Sequence, residues 1–183
     1  TQARTNDALA RLLAYGWEPE STPLHASHYL LATPALAATY GNAYGRFHVL
    51  DNLCLFSFGA VSASGSPVAA ATADVATSFG AGSGIVPTSG LQVIYNASVS
   101  GAMSHLQGVS PSTQMADMSY DGASCQRQLW IGADQGAVRV RAGVAEVARS
   151  GALRGKPALI VQGRADALVP PNFSARPYFA QNL

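Results

Sequence analysis

The spacing of apolar residues near the start of the chain predicts an amphipathic helix. Leu9, Leu12 and Leu13 fall on one face at the period of an α-helix. Asn6 is suited to the N-cap position, and Gly16 is suited to end the helix in the left-handed conformation. We therefore expect a first helix that begins at about Asn6 and ends before Gly16.

Two further segments have helix signals at their starts. Thr33 followed by Pro34 is a cap residue followed by a proline at the first helical position, and small and apolar residues continue to about residue 44. Asp134 can cap another helix, which apolar positions extend over about residues 135–150 until Gly151. These patterns predict one helix in the first third of the chain and one in the last third.

The middle of the chain has a different character. Between residues 59 and 122, Ser, Gly, Ala, Thr and Pro dominate, and apolar residues form short islands such as LQVIY at 91–95. Few charges and several aromatic residues distinguish this stretch from a disordered one. Residues 47–58, FHVLDNLCLFSF, fit either a strand or a buried helix. We interpret the region as an irregular insertion that packs on something else.

The end of the chain has the pattern of an α/β unit. Residues 157–162, PALIVQ, are apolar on both faces and lie between Pro and Gly, as central strands of parallel sheets do. A glycine-containing turn follows, and Asn172 can cap a short helix over 172–182, which Pro177 would disrupt beyond its first turn. Helix, strand, turn and helix in this order predict a doubly wound α/β fold with a parallel sheet.

Composition narrows the classes of function. The formal net charge is +1, so nothing favours a nucleic-acid partner, and no uninterrupted apolar stretch is long enough for a membrane helix. Only 11% of the residues are charged, which suggests a piece of a larger protein whose other parts cover apolar faces. The chain does not start with basic residues followed by an apolar run, so the sequence gives no indication of a signal peptide.

The two cysteines leave two interpretations open. The spacing of Cys54 and Cys125 fits no metal-binding motif, so no metal site is predicted. They form either a disulfide across the middle region or two buried thiols, which pack like small apolar side chains.

Asp166 is the candidate catalytic residue. It lies four residues beyond the predicted strand, where functional groups of α/β sheets are found, on a turn that Gly163 permits and Pro170 and Pro171 restrain. A carboxylate held there is suited to accept a hydrogen bond from a histidine Nδ1 during acyl transfer. The alternatives are that Asp166 pairs with Arg164 or caps the following helix, and the whole context favours the triad acid.

The run GRADALVP, residues 163–170, resembles the acid loop of α/β-hydrolases, Gly-x-x-Asp-x-x-Val-Pro. The longer run over 157–182, with YGW, YGNAYGRF and CLFSF upstream, resembles the D-3-hydroxybutyrate oligomer hydrolases of bacterial polyhydroxybutyrate degradation. The resemblance implies an α/β-hydrolase fold, serine-esterase chemistry with Asp166 as triad acid, and a small ester oligomer as substrate. It implies no cofactor, and it suggests a secreted or periplasmic location, which two cysteines permit.

The chain departs from the hydrolase pattern in two ways. The order of the triad is nucleophile, acid, histidine, and the nucleophile sits in a Gly-x-Ser-x-Gly elbow. The nearest serine candidates, Gly82-Ser83-Gly84, Gly65-Ser66 and Ser100-Gly101, do not match it. The histidines all precede Asp166, so chain order excludes them as the family's base; they are His25, His28, His48 and His105.

We therefore expect an internal fragment of a longer hydrolase, with its nucleophile upstream and its histidine downstream of this chain. Residues 1–19 would contribute a core helix, residues 20–128 a loop-rich lid insertion, and residues 129–183 the core with the acid loop. The fragment alone would be inactive, and its partner would be the remainder of the hydrolase. Alternatives are a rearranged triad, another α/β-hydrolase esterase, and a non-catalytic binding or interaction domain.

Overall fold

The computed structural model describes residues 1–48, 50–63, 67–80, 91–96, 108–117, 119–166 and 169–183. The chain forms two compact units. Unit 1 comprises Thr1–Ala32 together with Arg149–Leu183, and unit 2 comprises Thr33–Ala148. The division predicted from the sequence, at 19/20 and 128/129, remains a prediction about the full-length protein.

Helices make up most of the regular structure that is described. The α-helices are α1 Gln2–Ala14, α2 His25–Ser27, α3 Thr33–Gly45, α4 Thr72–Phe79, α5 Tyr120–Ile131, α6 Gln135–Val147 and α7 Ala175–Gln181. A π-helical turn, His28–Ala32, joins α2 to α3, and 3₁₀ turns cover Pro19–Leu24, Leu53–Leu55 and Pro171–Phe173. No helix among the described residues has the length and apolar character needed to cross a bilayer.

The described strands belong to unit 2. They are β1 Phe56–Val61, β2 Pro67–Val68, β3 Leu91–Tyr95, β4 Gly108–Val109 and β5 Ala116–Asp117. β1 lies between β2 and β3 and pairs with both in antiparallel register, with Phe58 opposite Val93. β4 and β5 form a separate antiparallel pair. Within the predicted segment 47–58, Leu53–Leu55 form a 3₁₀ turn and the last residues begin β1.

The end of α1 follows the local signals, whereas its start does not. Gly16 adopts the left-handed conformation, with φ +98°, and its amide donates to the Leu13 carbonyl at 3.0 Å. The predicted start at Asn6 is wrong, because the helix begins at Gln2. The Asn6 Oδ1 instead accepts a hydrogen bond from the side-chain Nε2 of Gln2, one turn earlier, at 2.8 Å.

Helix capping was predicted correctly for α6 and wrongly for α3 and α7. The Asp134 carboxylate accepts from the Ala137 amide at 2.8 Å, and α6 begins at Gln135. Thr33 does not cap α3, because the chain enters that helix directly from the π-helical turn. Asn172 does not cap α7, which begins after Ser174.

Unit 2 has a core of its own. Phe56, Tyr95 and Val140 are 3%, 1% and 0% exposed, and they bring one helix and the three-stranded sheet together. α3 and α6 approach closely at Gly143, where a Cβ would lie 2.0 Å from the Tyr44 carbonyl oxygen. A disulfide between Cys54 and Cys125 joins the 3₁₀ turn before β1 to α5, which decides between the two interpretations of these cysteines.

The predicted strand at 157–162 takes part in no ladder that the structure describes. Residues 157–162 are assigned neither helix nor strand, and Leu159 and Val161 are 90% and 87% exposed. The parallel sheet and the α/β-hydrolase fold accordingly remain predictions. The sheets that are described in unit 2 are antiparallel.

Candidate functional site

Asp166 lies in unit 1 on a turn that its own side chain helps to close. Its Oδ1 accepts a hydrogen bond from the Val169 amide at 2.9 Å, and its amide donates to the Gly163 carbonyl at 3.4 Å. A carboxylate that accepts from a backbone amide three residues later forms an Asx-type turn, which fixes the orientation of the side chain. The Asp166 side chain is half-buried, and Pro170 after it is buried.

Gln162 braces the same loop from the other side. Its Nε2 donates to the Val169 carbonyl at 2.6 Å, and its Oε1 lies 2.8 Å from the Ser174 hydroxyl. That hydroxyl is also 2.9 Å from the Pro170 carbonyl. The residues on both sides of Asp166 are thus joined by side-chain hydrogen bonds as well as by the backbone turn.

The turn after α1, residues 15–20, lies against the acid loop and α7. Arg176 Nη1 donates to the Gly16 carbonyl at 2.7 Å, and Asn172 Nδ2 donates to the Tyr15 carbonyl at 3.3 Å. These bonds satisfy carbonyl groups at the end of α1, which have no partners within a helix. Two segments that are far apart in the sequence therefore form one body in unit 1.

Glu18 is the centre of an ion cluster in this turn. Its carboxylate contacts Arg164 at 2.8 Å and also contacts Arg176, and its side chain is only 11% exposed. Arg164 lies 3.3 Å from Glu20 as well. The hydrogen bond from Arg164 is the main cause that holds the pKa of Glu18 below its ordinary value; burial opposes it, and Arg176 adds to it.

Two of the four histidines pack around one tryptophan in unit 1. The rings of His25 and His28 each lie 4.8 Å from the Trp17 ring, edge to face. Ser21, which is buried, places its hydroxyl 3.0 Å from His25 Nε2 and 2.7 Å from the Glu18 carbonyl. Burial lowers the pKa of His25, and the charge of His28 lowers it further.

This arrangement favours a structural role for His25 and Ser21. The Ser21 hydroxyl has one proton, and the shorter bond directs it to the backbone carbonyl of Glu18. A buried hydroxyl used in this way is not available to attack a substrate. His48 lies elsewhere, in unit 2, where its exposed ring accepts a hydrogen bond from the Leu50 amide at 3.1 Å.

The other predicted site residues lie outside the described part of the chain. These are the three serine candidates, at 65–66, 82–84 and 100–101, and His105. Arg164, which the sequence offered as an alternative partner for Asp166, forms ion pairs with Glu18 and Glu20. Across the residues that are described, no group of three or more His, Cys, Asp or Glu side chains could hold a metal ion.

Sequence reasoning missed the residues that hold the acid loop in place. Glu18 gives no local signal, because its partners Arg164 and Arg176 lie 146 and 158 residues away. Gln162 could be read only as the end of an apolar run. The motif around Asp166 is visible in the sequence, whereas the contacts that orient it are long-range.

The comparisons with known proteins confirm the resemblance to the D-3-hydroxybutyrate oligomer hydrolases. The family profile described as 3HB-oligomer hydrolase matches residues 1–183, and this chain belongs to that family. The chain is 53% identical to a D-(-)-3-hydroxybutyrate oligomer hydrolase of Azoarcus sp. (strain BH72), over 98% of this chain and 26% of that protein. No solved structure matches the chain.

Other relatives carry the same name. One from Polaromonas sp. (strain JS666 / ATCC BAA-500) is 53% identical over 96% of this chain and 26% of the relative. One from Ralstonia pickettii is 46% identical over all of this chain and 25% of the relative. The chain therefore spans about a quarter of the length of the relatives it matches.

Proposed function

We propose that this chain supplies the triad acid, Asp166, to a serine esterase that hydrolyses D-3-hydroxybutyrate oligomers to monomers in polyhydroxybutyrate degradation. The observation that carries the proposal is the acid loop itself. Asp166 is fixed by the Val169 amide, four residues after an apolar segment whose last residue, Gln162, is hydrogen-bonded to the loop. The names of the relatives supply the substrate class.

The proposed fold is an α/β-hydrolase in which residues 157–162 form a strand of a parallel sheet. Leu159 and Val161 would fall on one face of such a strand and Ile160 on the other, and all three are exposed here. Strands of parallel sheets are apolar on both faces because helices cover both. Exposing such a segment to water is unfavourable. The segment is therefore suited to pairing with strands from the rest of a longer protein.

In the proposed reaction Asp166 acts on a histidine and a serine from the rest of the full-length enzyme. The serine oxygen attacks the ester carbonyl, and the histidine takes its proton and then returns it to the leaving alcohol. The Asp166 carboxylate accepts the histidine Nδ1–H, fixes its tautomer and stabilises the imidazolium ion. Water then releases the acyl group by the same route, with an oxyanion hole stabilising each tetrahedral intermediate and no metal or organic cofactor required.

We propose that residues 20–128 are the lid insertion of the full-length enzyme. The disulfide between Cys54 and Cys125 within this insertion supports the assignment, because a lid must keep its shape while it covers a substrate. The disulfide also supports a secreted or periplasmic location, since disulfides persist in oxidising compartments and are rare in the reducing cytosol.

Substitution of Asp166 tests the proposal. In the full-length enzyme that carries this segment, Asp166→Asn should lower kcat for hydroxybutyrate dimer hydrolysis by about ten-thousand-fold, as loss of the acid does in other triads. Asp7→Asn, which removes an exposed carboxylate paired with Arg11 in the same unit, should leave kcat nearly unchanged. Full turnover by Asp166→Asn would refute the assignment. The 183-residue chain alone should show no hydrolysis.

A further inference from the structure

The carboxylate of Glu18 lies between two guanidinium groups in unit 1. Arg164 contacts it at 2.8 Å, Arg176 contacts its other oxygen, and only 11% of the Glu18 side chain is exposed. A carboxylate that is this well covered is unfavourable unless it is paired and hydrogen-bonded. With both arginines in place the cluster satisfies that condition, and each hydrogen bond is of the strong, charge-assisted kind.

The two arginines belong to the two sides of the acid loop. Arg164 lies within the turn that the Asp166 amide closes on the Gly163 carbonyl. Arg176 lies in the first turn of α7, beyond the prolines, and also binds the Gly16 carbonyl. Glu18 therefore joins the start of the acid loop, and the helix that follows the loop, to the turn after α1.

We propose that Glu18 is a positioning residue, which sets the orientation of the Asp166 carboxylate by holding Arg164 and Arg176. This inference rests on the proposed function, because it assigns Glu18 a role only if Asp166 is the triad acid. Glu18 touches no reacting group itself and acts through the geometry of the loop. Glu20 also contacts Arg164 but is 51% exposed and contributes less, since exposed pairs are screened by water.

Loss of Glu18 should affect catalysis more than substrate binding. Without their shared carboxylate the two arginines would no longer be held together, and the acid loop would shift relative to the histidine it serves. A misplacement of about 1 Å in a catalytic group costs on the order of a hundred-fold in rate. A weaker hydrogen bond from the histidine Nδ1–H to Asp166 also stabilises the imidazolium ion less, so the pKa of the triad histidine should fall.

The test uses the full-length enzyme and hydroxybutyrate dimer as substrate. Glu18→Gln keeps the size of the side chain and removes its charge, and Glu20→Gln is the matched control on the same turn. We expect Glu18→Gln to lower kcat by about thirty- to a hundred-fold, with KM nearly unchanged. The acidic limb of the kcat/KM profile, which reports the histidine, should move to lower pH. Glu20→Gln should change neither kcat nor KM by more than about two-fold.

A second variant keeps the inference testable if Glu18→Gln does not fold. Arg164→Ala removes the guanidinium group that lies in the acid loop. Arg176 remains to neutralise Glu18, so the protein should fold. The same displacement of the acidic limb is expected. Glu18→Asp, which keeps the charge, should recover part of the lost kcat.

The outcomes separate this inference from the proposed function. Full activity of Asp166→Asn would overturn both. An inactive Asp166→Asn together with an unchanged Glu18→Gln would overturn the positioning role alone. A fall in kcat that only tracks the fraction of folded enzyme, with an unmoved acidic limb in every variant, would also overturn it, because a purely structural role predicts that result.

Discussion

The two units of the chain are stabilised in different ways. Unit 2 is built around buried apolar side chains, with Tyr95 and Val140 at 1% and 0% exposure, and a disulfide crosses it. In unit 1 no residue of α1 or α7 is buried, and among its described residues the buried apolar ones are Trp17, Ala32 and Pro170. Hydrogen bonds and the ion pairs of Glu18 join the two segments of unit 1.

Exposed apolar side chains are a further feature of unit 1. Unit 1 exposes large apolar side chains that a free domain would bury; they include Leu159, Val161, Phe173, Phe179 and Leu183. Each such side chain stabilises a protein by roughly 1.5–3 kcal/mol once it is fully buried. Exposed apolar side chains that adjoin one another are typical of interaction surfaces. We therefore expect unit 1 to form one part of a larger core in the full-length protein.

The largest expected difference between the two units is in their response to loss of the disulfide. Its cysteines are 71 residues apart in the sequence, and closing a loop of that length stabilises the folded state by about 4 kcal/mol in the chain-entropy treatment. Reduction, or Cys54→Ser with Cys125→Ser, should lower amide hydrogen-exchange protection across unit 2 by that amount. Protection in unit 1 should change little. Equal losses in both units would contradict the division into separate bodies.

The next effect concerns the unfolding free energy and the exposed segment of unit 1, residues 157–162. Leu159→Ala should change the unfolding free energy of the 183-residue chain by less than about 0.5 kcal/mol, because Leu159 is 90% exposed. In the full-length enzyme the same substitution should cost about 2–5 kcal/mol if the segment is a buried strand. Chemical denaturation of both proteins measures the difference.

A pair of substitutions in α6 provides the control for that comparison. Val140→Ala, at a fully buried position, should destabilise the chain and the full-length enzyme alike by about 2 kcal/mol. Val138→Ala, at a position that is 53% exposed, should have little effect on either. If Leu159→Ala is as mild in the full-length enzyme as Val138→Ala, the parallel-sheet proposal for residues 157–162 is wrong.

The smallest expected effect is a pH dependence confined to unit 1. Burial lowers the pKa of His25, so the unfolded chain binds more protons than the folded chain just below the ordinary histidine value of 6.5. Stability should therefore fall as the pH is lowered through that window. The fluorescence of Trp17, which contacts His25, should report the transition in a Trp130→Phe background.

Two variants check the origin of that dependence. His25→Gln should flatten the stability profile near pH 6.5, whereas His48→Gln, at an exposed position in unit 2, should leave it unchanged. Glu18 contributes separately and at lower pH, because its pKa is lowered and its stabilising charge is lost only under more acidic conditions. A profile that His25→Gln does not alter would contradict the assignment.

Local signals in the sequence were accurate where the cause was local. Gly16 ends α1 because glycine adopts positive φ without a steric cost, and Asp134 caps α6 because its partner is three residues away. Asn6 and Asn172 have the same capping chemistry, but α1 begins before Asn6, at Gln2, and α7 begins after Ser174. A cap residue predicts the existence of a helix better than its first residue.

α4 and α5 were missed, because the sequence around them reads as loop. Gly122 resembles a helix breaker, yet it lies within α5 where a Cβ would come within 2.6 Å of the Phe56 ring and 2.7 Å of the Tyr95 ring. The glycine is required by close packing against the sheet rather than by a turn. Composition alone does not distinguish these two uses of glycine.

The sequence by itself determined the family, the acid-loop motif around Asp166 and the helices whose ends are set by neighbouring residues. Only the tertiary structure decided the pairing of Cys54 with Cys125, the antiparallel sheet of unit 2 and the ion cluster at Glu18. The physical reason is the range of the interactions. A cap or a turn is closed within a few residues, whereas Glu18 meets Arg176 only after the chain has folded across 158 residues.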